Sequence, residues 1–236
     1  MAFAARILEN NRRGVDLMSQ GDFQKSLLLF RRGLRRLLEK ESSAKFTKKQ
    51  KDTTPSPSLL VRSVSFQHMA PAMSKAESLQ SSDQQAFSLF DRAFIIEASS
   101  EEAALLSSLV NIDRAVIIIL YNMALAYQLL AMRNANNQEN NCARSVRYYQ
   151  MAMEVLGRHS EIDQSKIMFL AVANNLGTIY SSFFQSKQMQ CCLEWMATVL
   201  ENLYDSCEAL ADEYMFFHLN VMVLLGKEGV LAAPTA

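Results

Sequence analysis

Apolar residues along this chain recur at spacings of three and four rather than two, which is the period of helices. Residues 5 to 38 read as a helical hairpin. Ile7, Leu8, Gly14, Leu17 and Met18 lie on one helix, and "SQGDF" turns the chain at Gly21. Ser26, Leu27, Phe30, Gly33, Leu34 and Leu37 then fall on one face of the second helix. Arg31, Arg32, Arg35, Arg36 and Lys40 crowd its later turns, where the helix dipole favours positive charge. A further helix is expected from Ser99, whose spacing to Glu102 is that of a capping box, to Met132, with a break near Asn111. Others are expected over Ala143–Gly157, Gln164–Phe184, Gln190–Leu203 and Cys207–Leu225.

Between these helices the pattern fails. From Glu39 to Gln85 the chain is rich in Lys, Ser, Thr and Pro ("KESSAKFTKKQKDTTPSPS"), which predicts a flexible linker. The apolar patch Leu59–Phe66 interrupts it, and "AFSLFDRAFII" (Ala86–Ile96) follows. The two patches read either as strands of a small β-hairpin across a long loop or as a strap packed on the helices. The expected organisation is therefore a first hairpin at 1–38, a linker at 39–85 and an extended apolar segment at 86–98. Two more hairpins with a capping helix occupy 99–226, and a loose tail occupies 227–236.

Internal similarity strengthens the helical reading. "YNMALAY" at Tyr121 returns as "NNLGTIY" at Asn174, 53 positions later (174 − 121), with an apolar, a small and an aromatic residue in register. These residues resemble the tetratricopeptide repeat, a helix-turn-helix of about 34 residues with the pattern W-x2-L-G-x2-Y and then A-x3-F. Leu120, Met123, Ala124 and Tyr127 match its first helix, and Ser145, Tyr149 and Ala152 its second. In the next unit Ala173, Leu176, Gly177 and Tyr180 match the first helix. Cys191 with Trp195, or Cys192 with Met196, match the second. Gly14, Leu17, Gly21, Phe23, Ser26, Phe30 and Gly33 fit the first unit without a gap. The interval from Tyr127 to Ser145 is 18 residues against about nine in the family, and "RNANNQENN" reads as an inserted loop. The resemblance implies an all-α fold, a superhelical stack of antiparallel hairpins.

Composition narrows the function. Twenty-four basic residues balance twenty-four acidic ones, so no general affinity for nucleic acid is expected. The four cysteines lack paired CxxC spacing and suit a reducing, cytoplasmic setting, with Cys191-Cys192 expected as buried packing. The start carries Arg6, Arg12 and Arg13 and no signal-peptide core. Eighteen uncharged residues between Arg114 and Arg133 meet the minimum length for a membrane span. Asn122 and Gln128 in the middle favour a buried helix instead. His68, His159 and His218 do not converge, no catalytic or phosphate-binding motif appears, and no acidic cluster suggests a metal. No enzyme activity and no cofactor are expected.

The resemblance implies a binding module that holds an extended peptide or a helix of a protein partner on its concave face. That face would be lined by Asn11, Val15 and Met18, by Tyr121, Asn122, Leu125 and Gln128, and by Asn174, Asn175, Thr178 and Ser181. Asn11, Val15, Asn122, Ala171 and Asn175 stand at the positions of the carboxylate clamp that one subgroup builds with Lys and Arg, and Asn122 alone matches it, so no such clamp is expected. Asn122 and Asn175 recur in both copies, and each carries a donor and an acceptor. They would grip a peptide main chain or tie one repeat to the next. The alternative is a structural subunit that self-associates or joins an assembly through "YMFFHLNVMVLLG" near the C-terminus.

Overall fold

The structure, a computed structural model, describes residues 2–47, 60–66, 88–97, 109–158, 163–204 and 212–231. It is mostly helical, with seven α-helices and one two-stranded antiparallel sheet among the described residues. The chain divides into two compact units. The first holds Met1–Ala76 and Asp91–Val155, and the second holds Glu77–Phe90 and Leu156–Ala236.

In the first unit, α1 (Ala2–Ser19) and α2 (Phe23–Thr47) form an antiparallel hairpin. The turn depends on Gly21, whose φ of +77° an L side chain would adopt only with strain. Its carbonyl accepts a hydrogen bond from Arg133 Nη1 at 3.0 Å. The helices approach closely because Gly14 has no side chain. A Cβ there would lie 2.4 Å from the Phe30 ring. Asp22 starts α2 by accepting the Lys25 main-chain N–H at 3.2 Å.

α3 (Leu109–Arg133) runs unbroken through Asn111, contrary to the expected break. Its sides are buried almost all round from Asn111 to Leu129, which explains its lack of an amphipathic pattern. It is long and apolar enough to cross a membrane, yet 89% of its most apolar window is buried inside the chain. A 3₁₀ turn (Ala135–Asn137) leads into α4 (Gln138–Leu156). The asparagine-rich stretch read as a loop is therefore largely helical, and α4 begins before Ala143. Ser145 Oγ donates to the Ala124 carbonyl at 2.8 Å, and the Tyr149 hydroxyl to Gln128 Oε1 at 2.9 Å, joining α4 to α3.

The two apolar patches do pair. β1 (Leu60–Ser65) runs antiparallel to β2 (Arg92–Glu97), with Ser63 opposite Phe94. Ala93, Phe94, Ile95 and Ile96 are all buried, so β2 is covered on both faces and is a strap as well as a strand. The linker expected at 39–85 is thus shorter than composition suggested. α2 continues through Thr47 because unbranched charged residues such as Glu39, Lys40 and Glu41 are good helix formers. Leu60–Ser65 and buried Phe66 belong to folded structure. The rest of that segment, the Ser99 capping box and the last five residues lie outside the described residues.

In the second unit, α5 (Asp163–Ser182) and α6 (Ser186–Tyr204) form a hairpin, and α7 (Asp212–Leu231) packs against both. Residues 227–231, expected as loose tail, continue α7. Cys192 and Met196 are buried, whereas Cys191 is exposed and Trp195 is 46% exposed, which fixes the phase of α6. The vicinal cysteines are thus not buried together as expected, because adjacent helical positions face about 100° apart.

Burial pushes the Cys192 thiol up to about 12, helped by neighbouring Cys191, and burial also raises Cys142. Iodoacetamide at pH 8 should therefore alkylate Cys191 about tenfold or more faster than Cys142 and Cys192 in the native chain. Peptide mass spectrometry reads the order directly. Faster labelling of Cys192 than of Cys191 would place α6 in the opposite phase.

Candidate functional site

An extended segment that is buried must find partners for its main-chain N–H and C=O groups. In the first unit β1 serves one edge of β2, and side chains of α1 and α3 serve the other. Asn122, on α3, accepts the Phe94 N–H on Oδ1 at 3.0 Å and donates Nδ2 to the Phe94 carbonyl at 2.8 Å. Asn11, on α1, accepts the Ile96 N–H at 2.9 Å and donates to the Phe94 carbonyl at 3.3 Å. The Tyr121 hydroxyl donates to the Arg92 carbonyl at 3.1 Å. A side-chain amide carries the same donor and acceptor as a peptide group, so these residues take the place of a neighbouring strand.

The second unit repeats the arrangement on residues four positions earlier. Asn175, on α5, accepts the Phe90 N–H at 2.9 Å and donates to the Phe90 carbonyl at 3.1 Å. Asn174 donates to the Ser88 carbonyl at 2.9 Å. Asn220, on α7, donates to that carbonyl at 3.2 Å and to Asn174 Oδ1 at 2.7 Å. Asn122 and Asn175 therefore hold a phenylalanine's main chain, and Tyr121 and Asn174 hold the carbonyl two residues before it. The repeat visible in the sequence is a repeat of this grip.

Aromatic packing fixes the gripped side chains. The Phe94 ring meets Tyr121 edge-on at 5.0 Å, and Tyr121 meets Tyr149 at 5.7 Å. In the second unit Phe90 lies 4.7 Å from Phe217 and 5.4 Å from Phe216. Burial raises the Asp91 carboxyl above its ordinary value, partly offset by a main-chain hydrogen bond and by Arg92. No buried side-chain nitrogen or oxygen among the described residues lacks a partner.

The residues expected to line an open concave face are thus mostly interior. Asn11, Val15, Met18, Tyr121, Asn122, Leu125, Gln128, Asn174 and Asn175 are buried, and Thr178 and Ser181 are half-buried. The asparagines do grip a main chain, but it is the chain's own. Neither expectation for them, a separate peptide or a tie between repeats, anticipated this occupant. Gln128 holds Tyr149, and Thr178 Oγ1 donates to the Asn174 carbonyl at 3.0 Å. Asn220 was missed, although a lone amide inside "FFHLNVMV" is a signal of the same kind. Among the described residues no three His, Cys, Asp or Glu side chains form a metal-binding group. Comparison with protein families, curated proteins and solved structures finds no match.

Asn122→Ala removes two buried hydrogen bonds and leaves the Phe94 N–H without its acceptor. It should cost about 2–4 kcal/mol in urea unfolding. Asn122→Asp should cost at least as much at pH 7, since a carboxylate accepts but does not donate and would face the Phe94 carbonyl. Its deficit should shrink on acidification, because the protonated carboxyl regains a donor and its folded pKa lies above its unfolded one. An unchanged unfolding midpoint for both variants would remove Asn122 from the account.

Proposed function

We propose that this chain is a non-enzymatic protein-interaction module built from tetratricopeptide-like hairpins, working in the cytoplasm, with inner faces complemented by its own extended segment. The observation that carries the reading is the use of Asn11, Asn122 and Asn175 to hold main-chain groups of residues 90–96. A side-chain amide carries the donor and acceptor of a peptide group, so amides on the inner face of a helical stack suit the main chain of an extended peptide. Here that capacity is already used. Partners are consequently met on outer helix faces, and the inner segment makes each unit rigid enough to present them.

Support comes from the described surface, which carries large apolar side chains outside the inner faces. Leu28 and Leu38 on α2 are 52% and 44% exposed. The free thiols of Cys142, Cys191 and Cys192 suit a reducing compartment. A second reading, a structural subunit that self-associates, draws on α7, where Met215, Leu219, Met222 and Val223 are each about half exposed on one side.

Affinity capture of the tagged full chain from its native cells, followed by cross-linking and mass spectrometry, tests the proposal. Specific protein partners should be enriched over a tag-only control, with cross-links to α1, α2 or α4 rather than to residues 88–97. Light scattering separates the second reading. A stable oligomer without other partners would favour the subunit, and a monomer with no enriched protein would sink the interaction module.

A further inference from the structure

The first unit has a solvent-open cleft of about 510 Å³ on the outer side of α2, between that helix, α3 and α4. Leu34, Leu38, Met123 and Tyr148 supply apolar lining, and Arg31, Arg35 and Glu39 supply charge. On α2 the residues Leu28, Arg31, Arg35 and Leu38 follow spacings of three, four and three, so they form one stripe. This is the seam spacing of two helices packed side by side. Its ends are leucines, both substantially exposed, and its middle is two arginines.

Among the described residues no carboxylate neutralises the arginines of the stripe. Arg32, Arg35 and Arg36 form no ion pair or hydrogen bond with any described residue, and Arg31 and Arg144 are engaged by a ring rather than a carboxylate. Both guanidinium groups lie over Tyr127, 5.9 and 5.6 Å from its centroid, and Arg31 also donates to the Tyr127 hydroxyl. Tyr148 stacks on Tyr127 at 5.7 Å with the rings 5° from parallel. This aromatic pair anchors Arg31 and Arg144 without removing their charge. A chain of zero formal net charge thus gathers guanidinium groups without a carboxylate partner among the described residues beside an apolar cleft. Arginine is also the basic residue best suited to carboxylates, which it meets with two parallel N–H groups.

We infer that this cleft, with the stripe on α2 that borders it, is the docking site of an acidic amphipathic helix from a partner protein, whose apolar side lies along Leu28, Leu34 and Leu38 and whose carboxylates meet Arg31 and Arg35. The inference rests on the interaction-module reading and supplies the chemistry of its partner. The apolar lining selects against a polyanion such as nucleic acid, which would leave the leucines uncovered.

The test uses the full chain and a fluorescein-labelled helical peptide of about three heptads, with leucine at the seam positions and glutamate flanking them. Fluorescence anisotropy at low salt should show saturable binding that weakens as salt rises. Arg35→Glu, at an exposed residue without an ion-pair or hydrogen-bond partner among the described residues, should weaken binding about tenfold or more with an unchanged melting curve. A peptide with lysine in place of glutamate should not bind. Equal binding of both peptides, no saturable binding, or equally tight binding of a duplex DNA would overturn the inference. A dimer of the chain that Arg35→Glu dissolves would assign the cleft to a second copy, and overturn it too. Capture of the same cellular partners by wild type and Arg35→Glu would end this site while leaving the interaction module standing. Capture of none by either would end both.

Discussion

Everything in the interior follows from one constraint: a buried extended segment needs partners on both edges of its main chain. Among the described residues β2 has one strand beside it, so half of its peptide groups would be orphaned at about 1–3 kcal/mol each. Alternation along a strand turns Ala93 and Ile95 toward β1, opposite Val64 and Arg62, and turns Phe94 and Ile96 toward the helices. Asparagine meets that edge better than the other polar residues. Serine has the wrong reach, aspartate lacks a donor at neutral pH, and glutamine loses more side-chain freedom on ordering.

Once the main chain is satisfied, the side chains of the segment are free to be apolar. Phe90 and Phe94 fill aromatic positions in their respective units, and Ile95 and Ile96 are buried in the first unit. The same economy explains α3. A helix with the segment on one side and α2 and α4 on others has no solvent face, and its sequence then reads like a membrane span. Polar groups survive there where they have a partner: Asn122 on β2 and Gln128 on Tyr149.

Much of this architecture was legible because helical period is a local property. The α1–α2 turn at Gly21, the close approach at Gly14 and the packing of Ser145 and Tyr149 against α3 all fall where sequence spacing puts them. Boundaries were less legible. α2 continues past Leu38 because the propensity of its unbranched charged residues sustains the helix, and α4 starts inside an asparagine run that composition reads as loop. The two apolar patches were identified as strand or strap, and both descriptions apply. What spacing does not encode is occupancy. Asn122 and Asn175 announce a main-chain grip by their repeated position, but which main chain they hold is a long-range fact, set by residues 28 and 85 positions away. The phase of α6 was ambiguous for a simpler reason. Cys191-Trp195 and Cys192-Met196 both have the spacing, and only packing chooses between them.

Amide hydrogen exchange measured by NMR at Phe90, Phe94 and Ile96 tests the central claim most directly, because their N–H groups bond to asparagine side chains and not to another strand. If those side chains complete the interior, the Phe94 and Ile96 amides exchange as slowly as amides in the middle of α3, and the Phe90 amide as slowly as those in the middle of α5. Exchange of these three at the rate of an unstructured peptide, with α3 and α5 still protected, would contradict the account.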